Sequence, residues 1–265
     1  MPPAKKRTRR YDPVKIRAAV LAQFGNVRDA VRTLTPEQLA RPTRLGDWSV
    51  RDLAVHHTMA LGMLDRHLAE AEPSTQEVAL LDWPFATAAK ADQVAEGTRE
   101  LAASVDDLDA LFEQRAARAA ELFASTADER LVPTRFGAMT FADVLVTRTV
   151  ELTVHTDDLN DALPELDVPH DRQALAACTR LLADALAVKA PGGSVEVRIP
   201  PYAVVQCVAG PKHTRGTPPN VVETDPLTWI RLATGRLGWA EALDAARVAA
   251  SGERADLAAV LPVMG

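Results

Sequence analysis

The chain has 265 residues, 47% hydrophobic and 25% charged, with a net charge of −6 and two cysteines. A chain of this size buries a substantial core as one large domain or two ordinary ones, and its acidic balance excludes non-specific nucleic-acid binding by the chain as a whole. Cys178 and Cys207 are too few for a disulfide framework and wrongly spaced for a zinc motif, and they are read as small buried apolar residues. No apolar run reaches the roughly 18 residues of a membrane span and no apolar signal core opens the chain, so a cytoplasmic protein is expected.

Residues 1–12 include the basic run Lys5-Lys-Arg-Thr-Arg-Arg10, read as a disordered, solvated tail. Val20, Phe24, Val27, Val31 and Leu34 recur at spacings of four and three, which predicts an amphipathic helix from about Pro13 to Leu34. Thr35, Pro36 and Gln38 then supply an N-cap, a first-turn proline and a capping-box glutamine for a short helix. After a loop from Pro42 to Asp47, Ser49 and Asp52 have capping-box spacing and open a long helix. Its apolar stripe holds Val50, Leu53, His57, Leu61, Leu64 and Leu68. The segment from Pro73 to Pro84 is read as a loop over one end of a bundle. From about Ala88 to Ala124 helix formers run without proline, as one long helix or two stacked ones. Phe136-Gly-Ala-Met is read as a turn. Thr140 and Asp143 cap a last helix with Phe141, Val144, Leu145, Arg148, Leu152, His155 and Leu159 on one side. Four main helices with modest connections predict a four-helix bundle over residues 13–162.

Composition changes in the proline-marked linker Leu163 to Pro169. Beyond it a helix is predicted over Asp171 to Val188, and strands over Val195 to Ile199, Tyr202 to Val208 and Asn220 to Thr224. Helices from Asp225 to about Thr234 and from Trp239 to Ala246 follow, then a strand at Arg247 to Ser251 and a final helix. Residues 168–265 thus read as a small α+β domain, and the whole as α followed by α+β. A chain ended near Leu163 is expected to stay helical, soluble and metal-binding.

Glu151 and His155 stand four apart and share one helix face. A histidine from the facing helix would complete a two-histidine, one-carboxylate set, which holds a divalent metal with a position left open. Buried Glu–His pairs also occur as plain structural hydrogen bonds. Periodicity does not choose between His56 and His57: His57 lies on the leucine stripe, and His56 about 100° around the helix. Arg148 would either pair with Glu151 or hold a substrate carboxylate. Asp157 or Asp158 would orient a ligand histidine, or be merely solvated. His67 is read as a surface or bundle-end residue, and His170 and His213 as loop residues.

At these residues the chain resembles the maleylpyruvate isomerase family of mycothiol-dependent enzymes, among the DinB-like metal-binding bundles. Trp48, Asp52-Leu53 and His56 match one family pattern, and Arg148, Glu151, His155 and Asp158-Leu159 match the second; Asp47 departs from the glycine common before the tryptophan. The resemblance covers residues from about 13 to 162. It implies His56, Glu151 and His155 as metal ligands, with zinc as the ion, and mycothiol as thiol cosubstrate. The C-terminal part resembles the sterol-carrier-like domain of bacteria through Gly216 to Pro226, Trp229 to Gly235 and Ser251-Gly-Glu-Arg254. In isomerase members an arginine of this domain helps to bind substrate; Arg231, Arg247 and Arg254 are the candidates here.

The expected partners are a small-molecule substrate and a low-molecular-weight thiol, with no specific nucleic acid and no membrane span, in a monomer or weak homodimer. The expected reaction is isomerisation or S-transfer on a small activated substrate, with Arg148 anchoring an acid group. Two rival readings use the same residues: a sterol-carrier-type binding protein with a structural metal, and a hydrolase using zinc-bound water.

Overall fold

A computed structural model describes residues 9–210 and 218–264. Local capping chemistry sets most helix starts. Asp12 accepts from the Val14 and Lys15 amides, and Pro13 opens α1 (Pro13–Val31). Reciprocal Thr35–Gln38 and Ser49–Asp52 capping boxes begin α2 (Pro36–Leu39) and α3 (Val50–Ala69). Within the loop that follows, α4 (Trp83–Ala86) plants Trp83 in the core. The long helix-forming stretch is divided into α5 (Ala91–Ser104) and α6 (Leu108–Ser125), because Asp107 caps the second through the Ala110 amide.

The expected turn at Phe136 is the tip of an antiparallel hairpin, β1 (Leu131–Thr134) and β2 (Gly137–Thr140). Gly137 takes a positive φ there, which allows so tight a reversal. Thr140 caps α7 (Phe141–Ala162). Helices α1, α3, α6 and α7 pack around a common core and α5 lies along α3.

The second part begins with α8 (Arg172–Lys189), capped by Asp171. It continues through β3 (Val195–Ile199), β4 (Ala203–Cys207), β5 (Val221–Thr224), α9 (Pro226–Ala233), α10 (Trp239–Asp244) and β6 (Val248–Ser251). The sheet has the order β4-β3-β5-β6, with β3 parallel to β5 and the other pairs antiparallel. The predicted final helix is reduced to one 3-10 turn at Ala258–Val260, since Pro262 follows at once and halts further winding. His213 and Gly216 lie outside the described residues.

Gly252 explains part of the Ser251 to Arg254 motif. Its φ is +100° and a Cβ there would stand 2.2 Å from the Pro219 carbonyl oxygen. Asn220, next to that carbonyl, donates to Ser194 O at 2.8 Å and accepts from the Arg254 amide at 3.0 Å. Gly252→Ala is therefore expected to cost about 1–3 kcal/mol, read as a lower midpoint in urea denaturation.

Helix α8 joins the two parts. It packs on α1 and α7 on one side and on β4 and α9 on the other, and the buried side chains form one continuous cluster. Cys178 on α8 and Cys207 on β4 are both buried in it. The end of the tail also meets α8: Arg9 pairs with Asp184 at 2.8 Å. The expectation of a solvated tail through residue 12 is corrected from Arg9 onward, and residues 1–8 lie outside the description.

Candidate metal centre

The Ser49 capping box sets the phase of α3 and turns His56 toward α7, where Glu151 and His155 project one turn apart. His56 Nε2 lies 3.7 Å and His155 Nε2 3.6 Å from Glu151 Oε2. Donor atoms of the three residues lie within 4.8 Å of one another. Two ligands about 2.1 Å from a tetrahedral zinc ion stand about 3.4 Å apart, so this donor set fits a small divalent ion. His57 points elsewhere: it is buried, and among the described residues neither ring nitrogen has a partner in hydrogen-bonding geometry.

Each imidazole has a contact on its other nitrogen. His155 Nδ1 is 2.9 Å from Asp158 Oδ2, and His56 Nδ1 is 3.3 Å from Thr98 Oγ1. The Trp48 ring packs against His56 at 5.0 Å between centroids. Burial pushes the His56 pKa down, favouring the neutral imidazole. For His155 burial acts in the same direction, but Asp158 and Glu151 outweigh it and raise the pKa, so metal binding there competes with a proton. Burial alone would raise the Glu151 pKa. The two imidazoles and the Arg148 charge overcome it and hold the carboxylate ionised, well below the usual range.

These residues open onto a cavity of about 330 Å³ walled by Trp48, Met59, Met63, Trp83, Phe136 and Met139. Among the described residues, three guanidinium groups also line it. Arg148 is buried and donates from Nε and Nη2 to Thr147 Oγ1. Among the described residues no carboxylate lies within ion-pair distance of it, so the expected alternative of a salt bridge to Glu151 is not formed. Arg135, at the β1–β2 tip, also has no ion pair among the described residues, and burial lowers its pKa as it does that of Arg148. The third is Arg236, just after α9.

The second-domain arginines differ from expectation. Arg231 binds Asp157 through Nε and Nη2, while Arg247 and Arg254 are exposed on other parts of the domain. Among the described arginines of this domain it is Arg236, not one of those candidates, that reaches the cavity. Asp157 and Asp158 are both buried and ion-paired, so the solvated alternative is corrected for each. Neither Arg236 nor Arg135 carries a local signal, because their neighbours at the site are distant in sequence. His67 is buried at the end of α3 beside Arg66, and His170 contacts the Thr153 carbonyl.

Residues 20–160 match the family described as the mycothiol maleylpyruvate isomerase N-terminal domain, and residues 171–263 the family described as bacterial SCP ortholog. Comparison with curated proteins gives no significant match. Among solved structures, a mycothiol-dependent maleylpyruvate isomerase superposes with a TM-score of 0.58 at 14% identity, covering 93% of this chain and 95% of the other. A histidine-to-alanine mutant of such an enzyme gives the same TM-score and coverage at 16% identity. The shared fold spans both parts, and the first match alone takes in more than half of the sequence: the chain belongs to the mycothiol maleylpyruvate isomerase family of enzymes.

Proposed function

We propose that the protein is a metal- and mycothiol-dependent enzyme acting on a small unsaturated acid, by isomerisation or S-transfer. The observation that carries this reading is the juxtaposition of the His56–Glu151–His155 donors with two guanidinium groups, Arg148 and Arg135, that have no carboxylate partner among the described residues, around one largely apolar cavity. When bound, a divalent metal with three protein ligands offers a further position at which a low-molecular-weight thiol is held as its thiolate. Arg148 and Arg135 bind and orient the acid group in a charge-assisted pair. Trp48, Met59, Met63 and Phe136 keep water from the reacting carbons. Asp158 holds the proton on His155 Nδ1 and leaves Nε2 free to ligate. Addition of the thiolate to the activated double bond, rotation and expulsion gives the isomer; retention of the adduct gives S-transfer.

A purely structural zinc is normally closed by four protein ligands, and among the described residues three converge here. The carrier reading has less support, since Leu181, Leu182, Ile199 and Trp229 are all buried in the continuous core. Cobalt-substituted protein tests the proposal. Addition of mycothiol is expected to produce a sulfur-to-cobalt charge-transfer band, and turnover of maleylpyruvate, the substrate named for the structural neighbours, is expected to require the thiol. Turnover without thiol would instead favour the hydrolase reading. Arg148→Gln is expected to keep the band and raise KM for the acid by roughly 10–100-fold, the value of one lost charge-assisted hydrogen bond.

A further inference from the structure

The Asp158 carboxylate is fully buried and saturated. Oδ2 faces His155 Nδ1 at 2.9 Å and accepts from Arg236 Nη2 at 2.7 Å, while Oδ1 accepts from Arg236 Nε and Arg44 Nε, each at 2.7 Å. An ionised carboxylate has about four acceptor sites, and all four are used. The Asp158 plane, and with it the direction of the His155 ring, is therefore set by two arginines rather than by α7 alone.

Those arginines come from opposite sides. Arg44 lies in the loop before Trp48 and also binds Asp157 at 2.8 Å, and Trp48 packs on His56. Arg236 comes from the C-terminal domain, and its third nitrogen, Nη1, donates to the Thr234 carbonyl at 3.2 Å. Although Arg236 lines the cavity, each of its nitrogens is engaged within the protein, and a substrate acid would have to break a bidentate pair to recruit it.

We propose that Arg236 is a positioning residue through which docking of the C-terminal domain sets the metal affinity of the helical bundle, by fixing Asp158 and hence His155. This rests on the reading of His56, Glu151 and His155 as a metal set. Arg231 supplies an internal contrast: it makes an equally close bidentate pair across the same domain boundary, but to Asp157, which among the described residues has no hydrogen bond to a ligand histidine. An outer-shell partner of a ligand histidine typically controls metal affinity 10–100-fold.

The test measures zinc affinity of the full-length chain by competition with a chromophoric chelator, alongside thermal melting and the cobalt d–d spectrum. Arg236→Gln and Asp158→Asn are expected to weaken zinc binding by roughly 10–100-fold and to shift the cobalt spectrum. Arg231→Gln is expected to lower the melting temperature while leaving zinc affinity within about twofold and the spectrum unchanged. If Arg236→Gln fails to fold, Arg236→Lys carries the test, with an intermediate loss expected because an ammonium group cannot make the bidentate pair. Equal metal loss in the Arg236 and Arg231 variants, or none in either, overturns the proposal and makes both arginines domain braces. Wild-type protein that binds no metal would overturn the metal reading itself, an outcome distinct from a wild type that binds zinc tightly with an Arg236 variant that binds it equally well.

Discussion

His56→Ala is expected to strip the protein of metal, while His57→Ala retains it. The wild type should carry close to one divalent ion per chain, because three donors meet at one point. His56 Nε2 faces Glu151, and its loss should weaken binding beyond the roughly 10–100-fold typical of an outer-shell change. His57 sits in the core at 1% exposure, with its ring centroid 6.2 Å from that of His155. Burial pushes its pKa down to about 3, so it is a neutral packing group at physiological pH. Elemental analysis after dialysis reads the difference, and equal loss in both variants would remove His56 from the ligand set. His57→Leu sharpens the contrast. It exchanges two buried ring nitrogens for apolar surface of similar volume, so stability should hold or rise by about 1–2 kcal/mol with metal content unchanged.

The second large effect concerns the domain boundary. The linker in the sequence suggests a bundle that survives alone, but α8 covers one side of α1 and α7, and the core runs through it without interruption. Removing everything after Leu163 takes away α8, which packs on α1 and α7 and whose Leu181, Leu182 and Leu186 are all buried. Each such leucine contributes about 1.5–3 kcal/mol. Losing several, with the ion pairs of Arg231 and Arg236, exceeds much of the about 5–15 kcal/mol that stabilises an ordinary domain. The truncated chain is therefore expected to aggregate or to lose its cooperative melting transition, by circular dichroism and size-exclusion chromatography, even with zinc added. A soluble, cooperatively melting fragment that binds metal would show that α8 is dispensable to the bundle.

What the sequence determined by itself is local. The capping boxes at Thr35 and Ser49 and the caps at Thr140, Asp171 and Asp225 place helix starts to the residue, because each bond joins groups three or fewer positions apart. The shared face of Glu151 and His155, with Asp158 three further on, follows from the helical period alone. Where two local preferences compete, the pattern leaves alternatives: one helix or two before Ser125, and His56 or His57 on α3. The family resemblance chose His56; the leucine stripe marked His57 as the more inward residue, and the structure does bury it. The sequence shows only a turn around Arg135 and not the hairpin, since four-residue strands have too few side chains to display an alternation.

Tertiary structure alone decided the rest. Arg44 and Arg236 meet at Asp158 from more than 70 residues away on either side, and a charged residue's spacing says nothing about its distant partner. A buried carboxylate must be paired, so Asp157 and Asp158 require cations, but only the docking of the second domain selects Arg231 and Arg236 over Arg247 and Arg254. Likewise Arg148 lies on the stripe in the sequence, but that it faces a cavity depends on where α3 and the β1–β2 tip are placed. Periodicity shows which residues point inward; what they meet there is set by packing between elements.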